Sequence, residues 1–69
     1  MDSERFRRLL RVYRRAMTAF DGDMDDARDW LTSPKRVLDG DTPVEHLDTE
    51  TGTQVVLQML AVIDQTMPA

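Results

Sequence analysis

Between Trp30 and Gly52 the chain reads W-L-T-S-P-K-R-V-L-D-G-D-T-P-V-E-H-L-D-T-E-T-G, and no single helix or strand can run through it. Pro34 and Pro43 lack a backbone donor and disfavour helix in the residue before them. Gly40 sits in the turn signature D-G-D, and Thr42-Pro43-Val44-Glu45 carries a start signal for a new helix: Thr42 as cap, Pro43 first, Glu45 closing a capping box. Thr49 is placed to cap one more helix. Gly52 stands in a first helical turn, where propensity would not choose it, so the spacing predicts a close approach there by another backbone or by the Trp30 ring. The fold has to be assembled around this connector.

The flanks are helical in period. Phe6, Leu9, Leu10, Tyr13, Ala16, Met17 and Phe20 recur at the three-and-four spacing of one face, predicting a first helix from about Ser3 to Phe20. Ser3 is its expected cap, with Asp2 and Glu4 at the positive end of the dipole. Val12 is the one apolar residue outside that face. Asp21-Gly22-Asp23 ends the helix, and Asp23 caps a second over about Met24 to Leu31, with Met24, Ala27, Trp30 and Leu31 inward. Lys35 to Asp41 is a connector with room for one helical turn, burying Val37 and Leu38. A third helix of about one and a half turns places Val44 and Leu47 inward and His46 outside. A fourth runs from Thr49 to about Asp64 or Gln65, with Val55, Val56, Met59, Leu60 and Ile63 inward. Leu57 and Val62 fall outside that stripe, which together with Val12 suggests a second contact surface. The expected fold is all-α: a compact bundle of about four helices, two longer and two short, around a structured Pro/Gly connector, forming one domain over residues 1–69.

Sixty-nine residues lie near the lower limit for independent folding, with stability of roughly 3–5 kcal/mol expected. That margin suits a chain that gains stability from a partner or from self-association. No cysteine is present, so a disulfide or thiolate metal site is excluded, and one histidine makes a zinc site unrealistic. No apolar run reaches spanning length, and the arginine-rich start lacks the apolar stretch of a signal peptide, so a cytoplasmic protein with no membrane association is expected.

The net charge of −4 hides a split. Residues 1–15 hold six arginines against Asp2 and Glu4, for +4; residues 16–69 hold Arg28, Lys35 and Arg36 against eleven acids, for −8. Such asymmetry fits nucleic acid, or a helix lying near the acidic body of its own domain or of a second copy. The bland reading of the arginines is a solvated face with stems shielding an apolar stripe. The acids of 21–29 do not form a calcium loop. Counting from Asp21 puts Asp26 sixth and Thr32 twelfth; from Asp23, Arg28 and Pro34, where glycine and glutamate are needed. No nucleophile–base pair stands out, since Thr42 and Thr49 near His46 are accounted for as caps. No catalytic, cofactor or metal residues are expected, and the chain is not read as an enzyme.

One ordered set of residues spans most of the chain: Ala16 and Phe20, Trp30-Leu31, Pro34, Leu38, Gly40, Pro43, Leu47, Thr49, Gly52, then Val56, Leu60 and Ile63. This pattern, over about residues 16–63, resembles the toxin-binding domain of the Xre/MbcA/ParS antitoxin family. The resemblance implies an all-helical module that binds a RES-domain, NAD-consuming toxin and occludes its active site. It also implies self-association, since many members do so. Many members carry an upstream helix-turn-helix domain for which these residues leave no room, so nucleic-acid binding is not expected of this chain alone. The chain departs from the pattern at Lys35, where relatives often have asparagine or histidine, and at Asp64-Gln65-Thr66, where a glycine is usual. Within the motif, Trp30, Leu31, Leu38, Leu47, Val56 and Leu60 read as core, and Pro34, Gly40, Pro43 and Gly52 as backbone punctuation. Candidate partner contacts are therefore the exposed residues around that frame: Lys35 and Arg36 on the connector, Gln65 and Met67 at the end of the last helix. A homo-oligomeric adaptor of the same fold without a toxin is the alternative, followed by nucleic-acid binding through the arginine face.

Overall fold

A computed structural model of the chain describes residues 3–66; Asp2 and Met67, both singled out from the sequence, lie outside the described residues. The elements are α1 (Ser3–Ala19), α2 (Met24–Thr32) and α3 (Glu50–Thr66), with two 3₁₀ helices, Arg36–Leu38 and Val44–Asp48, between α2 and α3. Among the described residues there is no strand. The class is all-α, but the count of about four helices needs correction to three α-helices. The third expected helix is 3₁₀: Glu45 N donates to Thr42 O and His46 N to Pro43 O, closing i→i+3 rings. Between Pro43 and the cap at Thr49 there is no length for an α-helical ladder to establish itself.

α1 packs along α3, and both pack on the Val44–Asp48 segment. Val12, Ala16, Ala19, Ala27, Leu31, Leu47, Val56 and Leu60 form one buried cluster. Val12 is 0% exposed, whereas Phe6 is 55% and Leu10 42% exposed. The inward face of α1 is therefore rotated from the expected one, toward the arginines. Ala16 and Ala19 are buried on that side, and Arg8 and Leu9 are half-buried beside it. Val12 thus belongs to the core and not to a second surface. Leu57 likewise packs on the core.

Three other expected core positions are exposed. Met24, at the first position of α2, is 55% exposed. Val37 is 77% exposed, because the tight 3₁₀ turn points Leu38 inward and its neighbour out. Val55 is exposed while Thr53 is buried in its stead, its hydroxyl donating to Thr49 O at 2.8 Å and so satisfied.

The capping chemistry holds. α1 closes with Gly22 N on Met17 O and Asp21 N on Thr18 O, a Schellman pair in which Asp21 (φ 57°) takes the first left-handed position and Gly22 (φ 82°) the next. Asp23 accepts from Asp26 N at 3.0 Å. Thr42 N donates to Glu45 Oε1 and Glu45 N to Thr42 Oγ1, the reciprocal capping box. Thr49 Oγ1 accepts from Gly52 N at 2.9 Å. Ser3, expected as a cap, is instead the first residue of α1. A Cβ on Gly52 would collide with the His46 carbonyl and press Thr49 Oγ1 at 3.1 Å. Backbone approach, and not the Trp30 ring, explains that glycine.

Candidate functional site

The arginines of α1 divide the surface into used and unused parts. Arg5 Nε pairs with Asp48 at 2.8 Å, and Arg11 with Glu50 at 2.6 Å. Arg8, its side chain 15% exposed, reaches the carbonyls of Leu47 and Asp48 at 3.4 and 3.1 Å, with Glu50 3.6 Å from its Nε. These carbonyls end the 3₁₀ helix, where a cation is favourable. Gln54 donates to Glu50 as well; that bond, followed by the one from Arg11, holds the Glu50 carboxyl below its ordinary range. The Glu45 carboxyl is lowered too, first by the Thr42 backbone N–H and then by the Thr42 hydroxyl. The three arginines thus clamp the 47–50 corner, and a purely solvated face describes only the others.

His46 is half-buried, not on the outside as expected, and its Nε2 lies 3.3 Å from Asp41 Oδ2 without hydrogen-bond alignment. Thr42 and Thr49 are occupied as caps. Among the described residues no group of His, Cys, Asp and Glu could hold a metal ion, and no helix is long and apolar enough to cross a membrane.

The other end of the molecule is built differently. Phe20 and Trp30 meet with centroids 6.2 Å apart and planes tilted by 50°. The connector closes on itself: Lys35 N donates to Asp41 O, and Lys35 O accepts from Leu38 N and Gly40 N. Asp39 (φ 56°) and Gly40 (φ 90°) supply the left-handed turn this needs. That closure sets Lys35 Nζ 5.0 Å from the Trp30 ring centroid, a cation–π arrangement. Burial lowers the Lys35 pKa from its ordinary value. Beside the ring runs an open, largely apolar groove of about 300 Å³, lined by Trp30, Gln58, Met59, Val62 and Ile63. Its volume is at the bottom of the range for small-molecule pockets, so it suits side chains offered by a protein better than a deeply bound ligand.

The expected contact residues map unevenly onto this groove. Lys35 stands at its edge through Trp30. Gln65 is exposed on α3 at the three-and-four spacing from Gln58 and Val62, which places it on the same ridge one turn on. Arg36 is exposed on its 3₁₀ turn with no contact to the groove among the described residues. Met59 and Ile63, read from the sequence as core, are half-buried and line the groove, with Ile63 packing on the core as well. The signal that could have found them was Val62: an apolar residue outside the core stripe implies that its neighbours one turn away share a surface.

Over residues 15–65 the sequence matches the family described as the antitoxin Xre/MbcA/ParS C-terminal toxin-binding domain. It is 38% identical over 63 residues to a protein named Antitoxin Xre from Photorhabdus laumondii subsp. laumondii, covering 91% of this chain and 43% of that protein. The chain thus spans less than half the length of this curated relative. No solved structure matches it significantly.

Proposed function

The chain belongs to the Xre/MbcA/ParS antitoxin toxin-binding family, and on that premise we propose that it is an antitoxin module that acts by binding and not by chemistry. Its partner is a RES-domain, NAD-consuming toxin in the cytoplasm, silenced by physical occlusion of its active site. The observation that carries this reading is the uncovered apolar groove beside Trp30. Met59, Val62 and Ile63, of which Ile63 also packs on the core, flank the Trp30 ring, and Trp and Met are residue types enriched where interfaces form. Lys35 over Trp30 and Gln65 beyond Val62 supply polar rims at either end. Residues 1–69 act as one module, and the contacts extend to Met67.

Co-expression of the tagged chain with a RES-domain toxin encoded beside it tests this. A stoichiometric complex in which the toxin no longer consumes NAD is the expected result. Free toxin that remains active in the presence of excess chain would contradict it.

A further inference from the structure

A second concavity adjoins the Trp30 groove. It measures about 320 Å³ and lies between α1 and α3, lined by Arg11, Arg15, Gln54, Leu57, Gln58 and Ala61. Gln58 lines the Trp30 groove as well, so the two meet along one side chain of α3. Arg11 is committed to Glu50, whereas Arg15 is exposed and forms no ion pair among the described residues. The helix that joins the two hollows carries no charge over residues 51–63. Yet Thr51, Gln54, Val55, Gln58 and Val62 are exposed there. The outer face of a helix ordinarily holds charged side chains, and the cores of interfaces are depleted in them because a charge is costly to strip of water. So α3 presents a strip that is cheap to dry, with the Arg15 guanidinium on one flank and the Lys35 ammonium over Trp30 on the other.

We propose that the toxin covers this strip with a surface of matching chemistry: an uncharged ridge bearing a carboxylate side chain that enters the α1–α3 concavity and pairs with Arg15. The two-part site rests on the antitoxin function proposed above, and it deepens that function by giving the partner surface an acidic flank. Arg15 offers the planar fork that a carboxylate takes up in two parallel hydrogen bonds. The exposed Gln58 amide adds a donor, and half-buried Leu57 and Ala61 give the methylenes of an acidic side chain an apolar floor. A phosphate backbone would also pair with an arginine, but it has no apolar ridge to set on Val55 and Val62, and the net charge of −4 opposes a polyanion.

Titration of the RES-domain toxin with the full chain at two salt concentrations tests it, each variant being checked for folding by circular dichroism. At ~0.05 M salt Arg15→Glu weakens binding about five- to tenfold, and at ~0.5 M the gap closes to about twofold as the charges are screened. Gln58→Glu sets a like charge where the partner carboxylate enters and weakens binding in the same way. Arg7→Glu makes the same change of charge on the same helix but outside this concavity, and it stays within about twofold of wild type. If the wild-type chain itself does not bind the toxin, the antitoxin function fails and the two-part site with it. If the wild type binds, and Arg15→Glu and Gln58→Glu bind as tightly as Arg7→Glu, the two-part site alone is overturned and the Trp30 groove stands. It is also overturned if Arg15→Glu costs affinity for a short DNA duplex and none for the toxin, which would assign the arginine to nucleic acid.

Discussion

The two ends of the bundle handle polar and apolar groups in opposite ways. At the 47–50 corner most polar groups have a partner, although Arg8 Nε, 3.6 Å from Glu50, is buried without a hydrogen bond. Arg8 covers the last carbonyls of the 3₁₀ helix, Arg5 and Arg11 hold Asp48 and Glu50, and Thr49 caps α3. The backbone there is so close that only glycine fits at position 52. At the Trp30 end, α3 leaves Met59, Val62 and Ile63 beside an open groove with a single cation at its edge. The first end resembles an interior turned polar, and the second an interface waiting to be covered. The corner is a device for stability and the groove is the proposed recognition surface, so mutations at the two should separate folding from binding.

The largest effect expected is at the corner. Gly52→Ala gains about 1 kcal/mol of helix propensity but forces a Cβ into the His46 carbonyl, and the resulting displacement costs about 2–3 kcal/mol net. Urea denaturation should show that fall in midpoint with an unchanged slope. If the alanine were neutral or stabilising, the corner would not be the rigid element described. Next is Arg8→Ala, which leaves the Leu47 and Asp48 carbonyls without their charged donor; about 1–2 kcal/mol should be lost, read as a lower thermal midpoint. Thr42→Ala removes half of the capping box for about 1 kcal/mol by the same assay.

Much of this organisation was legible from residue types alone. Asp23, Thr42 with Glu45, Thr49 and the two-residue closure at Asp21-Gly22 are local signals, each satisfied within a few positions of sequence, and local chemistry is what a sequence displays. The orientation of α1 was not legible. Apolarity favoured Phe6 and Leu10 over Val12, but the face is set by packing on α3 and the Val44–Asp48 segment, which lie far along the chain. The arginine clamp was hidden for the same reason, since Arg5 and Asp48 are 43 residues apart. At the Trp30 end, Lys35 was expected to be exposed beside the motif but is half-buried over the ring, a place set by the Asp39-Gly40 turn. Met59 and Ile63 were missed because helical spacing cannot tell a core stripe from the edge of a groove.

Acidity should sharpen the contrast with a smaller effect. Glu45 and Glu50 have carboxyl groups held below their ordinary value of 4.5, so the unfolded chain binds more protons than the native one as pH falls through that range. The stability they contribute is fully present above about pH 5, and is lost as pH falls from there through their folded values. Glu50→Gln should therefore give a flatter stability profile below pH 5 than the wild type, read from thermal midpoints across a pH series. At the other end Lys35→Ala removes a contact made within the chain, with the Trp30 ring, and should lower stability by the roughly 0.5–1 kcal/mol such a contact is worth, read as a lower thermal midpoint; because it also takes the cation from the edge of the groove, toxin binding should weaken as well, read by titration.

The most direct test is a calorimetric titration of the RES-domain toxin with wild-type chain and with Val62→Asp. Val62 is half-exposed, so a carboxylate there, late in α3, should cost no more than about 1 kcal/mol and leave a cooperatively folded chain whose thermal midpoint falls by about 4–8 °C at most. It also places a charge in the centre of the groove, and binding should weaken by roughly a hundredfold, with toxin activity restored. A Val62→Asp chain that folds normally and still binds and silences the toxin as the wild type does would contradict the assignment of recognition to the Trp30 groove.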